Sequence, residues 1–273
     1  ILPSNGPSID EVKKYIGKYS NEKIVIKCGG SVLINPNLFN IFISDIAIIK
    51  KLGLTPIIVH GGGKRINNQL KELNIESTFI KGLRVTNKDT IKVVEDVLIK
   101  LNKEIVDALN SKSCEAKSIT TKENNIILVK SEKGELGYVG EPTEIKTNFL
   151  DKIINSKQVP VIAPMGLKNN QTFNINADTA AGAIAKGLRS RRLLLMTDIE
   201  GVMDNNNKLI SEITTDLAKK MINKEVIKGG MLPKINTCID AVNNGVRGVV
   251  IIDGRKAHSI LFELFSDKGS GTL

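Results

Sequence analysis

An α/β fold, with a mainly parallel sheet covered by helices on both faces, is the class this sequence predicts. Three observations carry it. Short continuous apolar runs alternate with segments of helical periodicity. Glycine clusters stand where those runs end or helices begin, the place at which open α/β sheets hold ligands. The chain has 273 residues, 41% of them apolar, enough to bury a large core without disulfides or a structural metal.

The elements follow in order. Ile9 to Ile16 spells a short amphipathic helix within an N-terminal extension, residues 1–22. Lys23 to Lys27 (KIVIK) is a buried strand running into Cys28-Gly29-Gly30, and a helix follows through Phe39, Phe42 and Ile46. Thr55 to His60 (TPIIVH) is a second strand, stopping at Gly61-Gly62-Gly63. Ile66, Leu70 and Leu73, spaced i, i+4, i+7, mark the next helix. Asp89 to Leu109 is a long helix, and Ala116 to Val139 holds two or three short strands with a turn at Lys133-Gly134. Val159 to Gly166 is a third buried run, Asn174 to Leu188 a small-residue helix, and Arg191 to Asp198 a fourth strand. A helix with Ile235, Cys238, Ile239 and Val242 precedes the last strand, Val249 to Asp253, and His258 to Phe265 closes the chain as a helix. No internal repeat or low-complexity linker divides it. The expectation is two lobes on one continuous sheet, with the boundary near residue 174.

Composition removes several function classes. A 25% charged fraction with mean hydropathy of −0.04 excludes a disordered chain. The best candidate membrane run, IFISDIAII, is broken by Asp45 and is far short of a span of ~18 residues. The chain opens Ile-Leu-Pro-Ser without Met, so the native start is expected upstream, and no signal peptide is visible. Cys28, Cys114 and Cys238 are odd in number, widely spaced and without metal-type spacing, which points to a reducing compartment and to small buried apolar groups. Two histidines exclude a His-rich zinc site. The formal charge of +10 admits a nucleic acid, an anionic small substrate, or compositional bias in a lysine-rich chain. Aromatics at 4% with no Trp are poor material for base stacking, and Arg189 to Arg192 (RSRR) is expected to be a solvated turn.

No G-x-x-x-x-G-K-[ST] is present, since Gly63-Lys64 is followed by Arg65, and no G-x-G-x-x-G follows a strand. Instead there are Gly29-Gly30, Gly61-Gly62-Gly63 and Gly229-Gly230. Without a Cβ, consecutive N–H groups can converge on one anion, and a following helix adds its positive end. Lys27 stands at a strand C-terminus, and Lys234 in KGGMLPK at the helix end a cation least prefers, by ~0.3–1 kcal/mol. A bound phosphate would favour both. Asp178 has two readings of equal weight, a helix N-cap or a carboxylate that holds two lysines. Asn174 and Asn176 are neutral hydrogen-bonders, for a substrate carboxylate or simply for a loop. Arg84 in KGLRVT is either a surface arginine or a bidentate partner for a carboxylate. His60, with no Ser or Cys partner nearby, orders its own loop rather than serving a triad.

Taken in order, K-x-G-G-S, VHGGG, GLRVT, N-x-N-A-D, TDxxGV, GGMxPK and IIDGR…H…ELF…G-x-G-T resemble the acetylglutamate kinases of the amino-acid kinase superfamily, from Lys23 to Leu273. The resemblance implies a three-layer αβα sandwich with a mainly parallel central sheet, like carbamate kinase. It implies ATP-dependent phosphorylation of the side-chain carboxylate of N-acetyl-L-glutamate, the second step of arginine biosynthesis, with Mg2+ carried by the nucleotide. Lys27, Lys234 and Asp178 would be catalytic. Gly62, Gly63, Arg84 and Asn174 would bind acetylglutamate. Gly29, Gly30, Asp198, Gly201, Val202, Met203, Gly229 and Gly230 would lie at ATP. Residues 23–174 would form the substrate lobe and the dimer, and 175–273 the ATP lobe. The extension resembles the helix that joins dimers into hexamers, trimers of dimers, in arginine-inhibited members, with Tyr15, Glu263 and Gly269 in the arginine pocket. Those members often carry His where this chain has Val250. A PII-type regulator is among the partners the resemblance admits; nucleic acid and membrane are not. The compartment would be cytoplasm or plastid stroma. Two rivals stand beside this reading. One is a kinase for a related acid such as carrier-bound aminoadipate; the other is a non-catalytic arginine or nucleotide sensor on the same fold.

Overall fold

The computed structural model describes residues 2–204, 206, 208–267 and 269–273. Helix α1 (Ile9–Tyr19) leads into β1 (Lys23–Cys28), a one-turn 3-10 segment (Gly30–Leu33), α2 (Pro36–Lys51), β2 (Thr55–His60) and α3 (Gly63–Glu72). A small hairpin, β3 (Phe79–Ile80) and β4 (Leu83–Arg84), precedes α4 (Lys88–Ser111). Then come β5 (Ala116–Ile119), β6 (Ile127–Ser131), β7 (Gly140–Ile145), α5 (Thr147–Asn155), β8 (Val159–Ile162), β9 (Met165–Lys168) and β10 (Gln171–Asn174). The last part holds α6 (Ala177–Gly187), β11 (Arg192–Thr197), α7 (Thr215–Asn223), α8 (Met231–Asn243), β12 (Val249–Asp253), α9 (Ser259–Phe265) and β13 (Gly271–Thr272).

A seven-stranded sheet, in the order β13-β12-β11-β1-β2-β8-β5, runs through the molecule, and its paired strands are parallel except for β13. Successive side chains of a strand point to opposite faces, so each strand serves two cores. Ile24, Ile26, Ile58 and Leu194 face α2, the C-terminal half of α4, and α9. Val25, Ile57, Leu193 and Ile251 face α5, α6, α7 and α8. This double burial explains why the strands are continuous apolar runs, each fully buried Val or Ile contributing roughly 1.5–3 kcal/mol. The result is a three-layer αβα sandwich, as the sequence predicts.

Several expectations change. Val159 to Gly166 is two strands, since the chain leaves the central sheet at Ala163-Pro164 and enters a second sheet, β10-β9-β6-β7. Asn174 ends β10 rather than opening a helix; α6 starts at Ala177, capped by Asn176. Helices α5 and α7 and strands β3, β4, β7, β10 and β13 lack a strong enough local pattern to be named in advance. The RSRR segment is not a solvated turn throughout. Ser190 is fully buried, with Oγ donating to Ala185 O at 2.9 Å, and Arg192 already belongs to β11.

Candidate active site

Parallel register places the functional loops side by side. Lys27 lies opposite Val59 on one neighbour and Leu195 on the other, so β1, β2 and β11 end at the same rim. Gly61 N–H donates to Cys28 O at 2.7 Å, bringing the Gly29-Gly30 and Gly61–Gly63 loops together. A cavity of 200 Å3 opens between them, lined by Lys27, Gly29, Gly30, Gly62, Gly63, Arg84 and Asn174 among others. At Gly30 the backbone is left-handed (φ +59°), and a Cβ would stand 2.6 Å from Asp198 Oδ1. Only glycine meets both conditions without strain.

Asp178 sits in the first turn of α6 between two ammonium groups. Lys234 Nζ donates to its Oδ2 at 2.7 Å, and Lys27 Nζ lies 3.0 Å from Oδ1, off the hydrogen-bonding direction. Of the two roles open to Asp178, capping is the one the structure removes. Asn176 caps α6, its Oδ1 accepting from Asp178 N–H at 2.9 Å and Thr179 N–H at 3.1 Å. Burial pushes the Asp178 carboxyl up, but Lys27 and Lys234 outweigh it and hold the group at about 2. Lys234, only 7% exposed, is pushed below the ordinary lysine range by burial and by Lys27, with Asp178 opposing both. Unlike-charged partners thus keep two cations packed against each other in a poorly solvated site.

Arg84 is 6% exposed, and burial lowers its pKa from the ordinary value. Its guanidinium donates to Ser77 Oγ and to Gly63 O at 3.3 Å, and lies 4.6 Å from the Phe79 ring centroid. The β3–β4 hairpin therefore fixes the plane of the fork facing the cavity. Phe79 is a contact that sequence reasoning misses, because nothing local marks a two-residue strand. Asn174 Nδ2 donates to Thr86 Oγ1 at 3.4 Å, beside the same cavity.

Other candidates are scattered. Asp198 reaches the Gly29-Gly30 loop, accepting from Ser31 N–H at 2.9 Å and from Lys64 Nζ at 2.8 Å. At Gly201, Val202 and Met203 the contacts are with the C-terminal strand and Leu209: a Cβ on Gly201 would strike Thr272, Val202 N–H donates to Thr272 Oγ1 at 2.9 Å, and Met203 bridges Leu209. Val202 instead lines a mostly apolar cavity of 340 Å3 between α7, α8 and β12, which contains none of Lys27, Asp178 and Lys234. Gly229 and Gly230 stand at the start of α8 with open space beside them. Tyr15, Glu263 and Gly269 line a separate cavity of 280 Å3 between α1 and the C-terminal segment. Cys28 and Cys114 are buried and Cys238 partly so. His60 orders its loop as expected: Nδ1 lies 2.9 Å from Gly61 O and Nε2 accepts from Asn102.

Among the described residues no three His, Cys, Asp or Glu side chains converge as a metal cage. The carboxylates nearest the glycine loops, Asp178 and Asp198, are both paired with lysine ammonium groups.

The model of the amino acid kinase family matches residues 22–253. Acetylglutamate kinase from Pelagibacter ubique (strain HTCC1062) is 63% identical over 274 aligned positions, covering all of this chain and 95% of that protein. The acetylglutamate kinase of Caldanaerobacter subterraneus subsp. tengcongensis is 45% identical over 272, covering 96% and 90%. Among solved structures, N-acetylglutamate synthase from Neisseria gonorrhoeae superposes with a TM-score of 0.88 at 21% identity, over 97% of this chain; the chain spans 63% of that synthase. Carbamate kinase from Giardia lamblia gives 0.68 at 14% identity, covering 93% and 98%, a likeness of fold alone. The chain belongs to the amino acid kinase family, a class of phosphotransferases built on this sheet. Within it, the chain groups with the acetylglutamate kinases.

Proposed function

We propose that this chain transfers the γ-phosphoryl group of ATP to the side-chain carboxylate of N-acetyl-L-glutamate, giving N-acetyl-L-glutamyl 5-phosphate, the second step of arginine biosynthesis. The observation that carries the reading is the Lys27–Asp178–Lys234 array beside the glycine cradle, with Arg84 facing the same cavity. A carboxylate nucleophile is already ionised at neutral pH, so no general base is required. What remains is alignment and shielding of charge. The N–H groups of the Gly29-Gly30 and Gly61–Gly63 loops would hold phosphoryl oxygens, Lys27 and Lys234 would meet the charge that develops in transfer, and Asp178 would aim both ammonium groups. Arg84 and Asn174 would hold the α-carboxylate and amide end of the substrate. Mg2+, brought by the nucleotide, neutralises phosphate charge when bound.

In this reading residues 23–174 carry acetylglutamate and the dimer contact, and 175–273 carry ATP. No helix among the described residues is long and apolar enough to cross a membrane, and the buried free thiols suit a cytoplasmic setting. The test is ADP release with acetylglutamate, glutamate and aminoadipate side by side. Turnover with acetylglutamate at least ~100-fold above the others is expected, because a site built to bind a charged or polar group rejects analogues that leave it unpaired. Preference for aminoadipate, or no turnover with any of the three, would overturn the reading.

Feedback inhibition by arginine is a second reading favoured by one cavity. Tyr15, Glu263 and Gly269 line it with Glu212 and Asp267, carboxylates suited to a guanidinium, beside Lys18 and Arg192. Burial pushes the Glu263 carboxyl above its usual range, with the Ser270 N–H that it accepts and Arg192 opposing. Activity unchanged by millimolar arginine, with a dimeric rather than hexameric mass by light scattering, would refute it.

A further inference from the structure

Lys64 stands in the first turn of α3, one residue after the Gly61–Gly63 run. A cation there faces the positive end of its own helix. Its ammonium crosses to the end of β11, donating to Asp198 Oδ2 at 2.8 Å and to Ser31 Oγ at 3.3 Å. Asp198 in turn lies directly over Gly30, and its other oxygen accepts from Ser31 N–H. At the neighbouring residue, a Cβ on Gly29 would stand 3.1 Å from Lys27 Nζ. Two ammonium groups therefore flank one glycine pair, Lys27 directly and Lys64 through Asp198.

The charges explain the arrangement. Lys27 and Lys234 are neutralised in part by Asp178, and Lys64 by Asp198. A nucleotide polyphosphate arriving at the glycine loops brings several negative charges next to Asp198, which repels them, and Lys64, which attracts them. The Lys64 side chain is half-exposed on a long flexible stem, so it is free to turn. Asp198 is not orphaned when the lysine leaves, because it keeps the Ser31 N–H.

We infer that Lys64 is a third phosphate-directed cation, which exchanges its Asp198 partner for a phosphate oxygen of the bound nucleotide. This deepens the kinase reading and rests on its ATP site. It differs from a static bridge between the two loops, which would act on every ligand of the cleft alike.

Titration calorimetry of ADP and of adenosine, without acetylglutamate, separates the two. Lys64→Met is expected to weaken ADP by ~10-fold or more, the worth of one hydrogen bond to a charged group, and to leave adenosine within ~2-fold. Lys64→Arg should restore part of the ADP affinity. In turnover, KM for ATP should rise while KM for acetylglutamate holds. Thermal midpoints of the variants check that they fold. Equal weakening of ADP and adenosine, unchanged ADP affinity, or a wild-type chain that fails to bind ADP would each overturn the inference. A wild-type chain that binds ADP through Lys64 yet does not phosphorylate acetylglutamate would sink the substrate reading and leave Lys64 standing.

Discussion

Asp178→Asn removes one charge from the middle of the lysine pair and changes almost no volume. The carboxylate lies 2.7 Å from Lys234 Nζ and 3.0 Å from Lys27 Nζ. At an effective dielectric of ~20, those separations correspond to about 6 and about 5.5 kcal/mol of gross attraction. Desolvation offsets much of it, and breaking a buried pair by removing one partner costs ~3–5 kcal/mol. Lys234 keeps its proton against burial and against Lys27 with the help of Asp178. Without that carboxylate, burial and Lys27 meet less opposition and the Lys234 pKa falls further. The alkaline limb of the kcat profile should therefore move to lower pH, and kcat at neutral pH should fall ~10²–10³-fold as the two cations lose their aim. The assay is ADP release at saturating substrates across about pH 6 to 10, with the thermal midpoint as a folding control. An unmoved alkaline limb together with a kcat loss below ~5-fold would refute the aiming role, since a lost preorganised donor costs far more.

Lys234→Ala should lower kcat by ~10²-fold or more, the size expected for one preorganised electrostatic donor, and a near-normal steady-state kcat would remove Lys234 from the chemistry. Arg84→Lys should raise KM for acetylglutamate by ~10-fold or more with KM for ATP little changed, because a point charge cannot replace a fork; equal changes in both constants would count against a substrate-specific contact. His60, fully buried, has its pKa lowered to about 4 by burial, with the Gly61 carbonyl opposing. The folded value lies below the unfolded ~6.5, so the contribution is fully present above pH ~6.5 and is lost as pH falls toward about 4, at most about 3 kcal/mol. Urea unfolding of wild type and His60→Gln across that window should give curves that converge at low pH; parallel curves would refute the assignment.

The candidate site was legible in pieces. Lys27, Lys234, Asp178 and Arg84 announce themselves by position: a cation at a strand end, another at the wrong helix end, a carboxylate in a first turn, a fork on a turn. Whether Asp178 caps α6 or binds lysines could not be read locally, since both roles need the same residue type there. Only the approach of α8 to α6 and β1 decides it, by bringing Lys234 from 56 positions away. Lys64 was visible only as a lysine beside glycines, and Phe79 not at all, because the Arg84–Phe79 stack is made by a hairpin too short to show periodicity.

For the fold, the buried strands were plain because burial on both faces demands uninterrupted apolar residues, a local property of KIVIK, TPIIVH and VVIID. The short, exposed or two-residue strands carry no such demand. What the amino-acid order determined alone was the alternation of strands and helices, the glycine loops and the chemical types at their ends. Tertiary structure decided which of these meet. Parallel register set Gly29-Gly30 against Gly61–Gly63, and packing of α6 against α8 closed the lysine pair on Asp178. It also tied Gly201 and Val202 to β13 through Thr272, a contact across 70 positions. Proximity between distant segments is a property of packed surfaces, and a linear pattern contains no distances across the sheet.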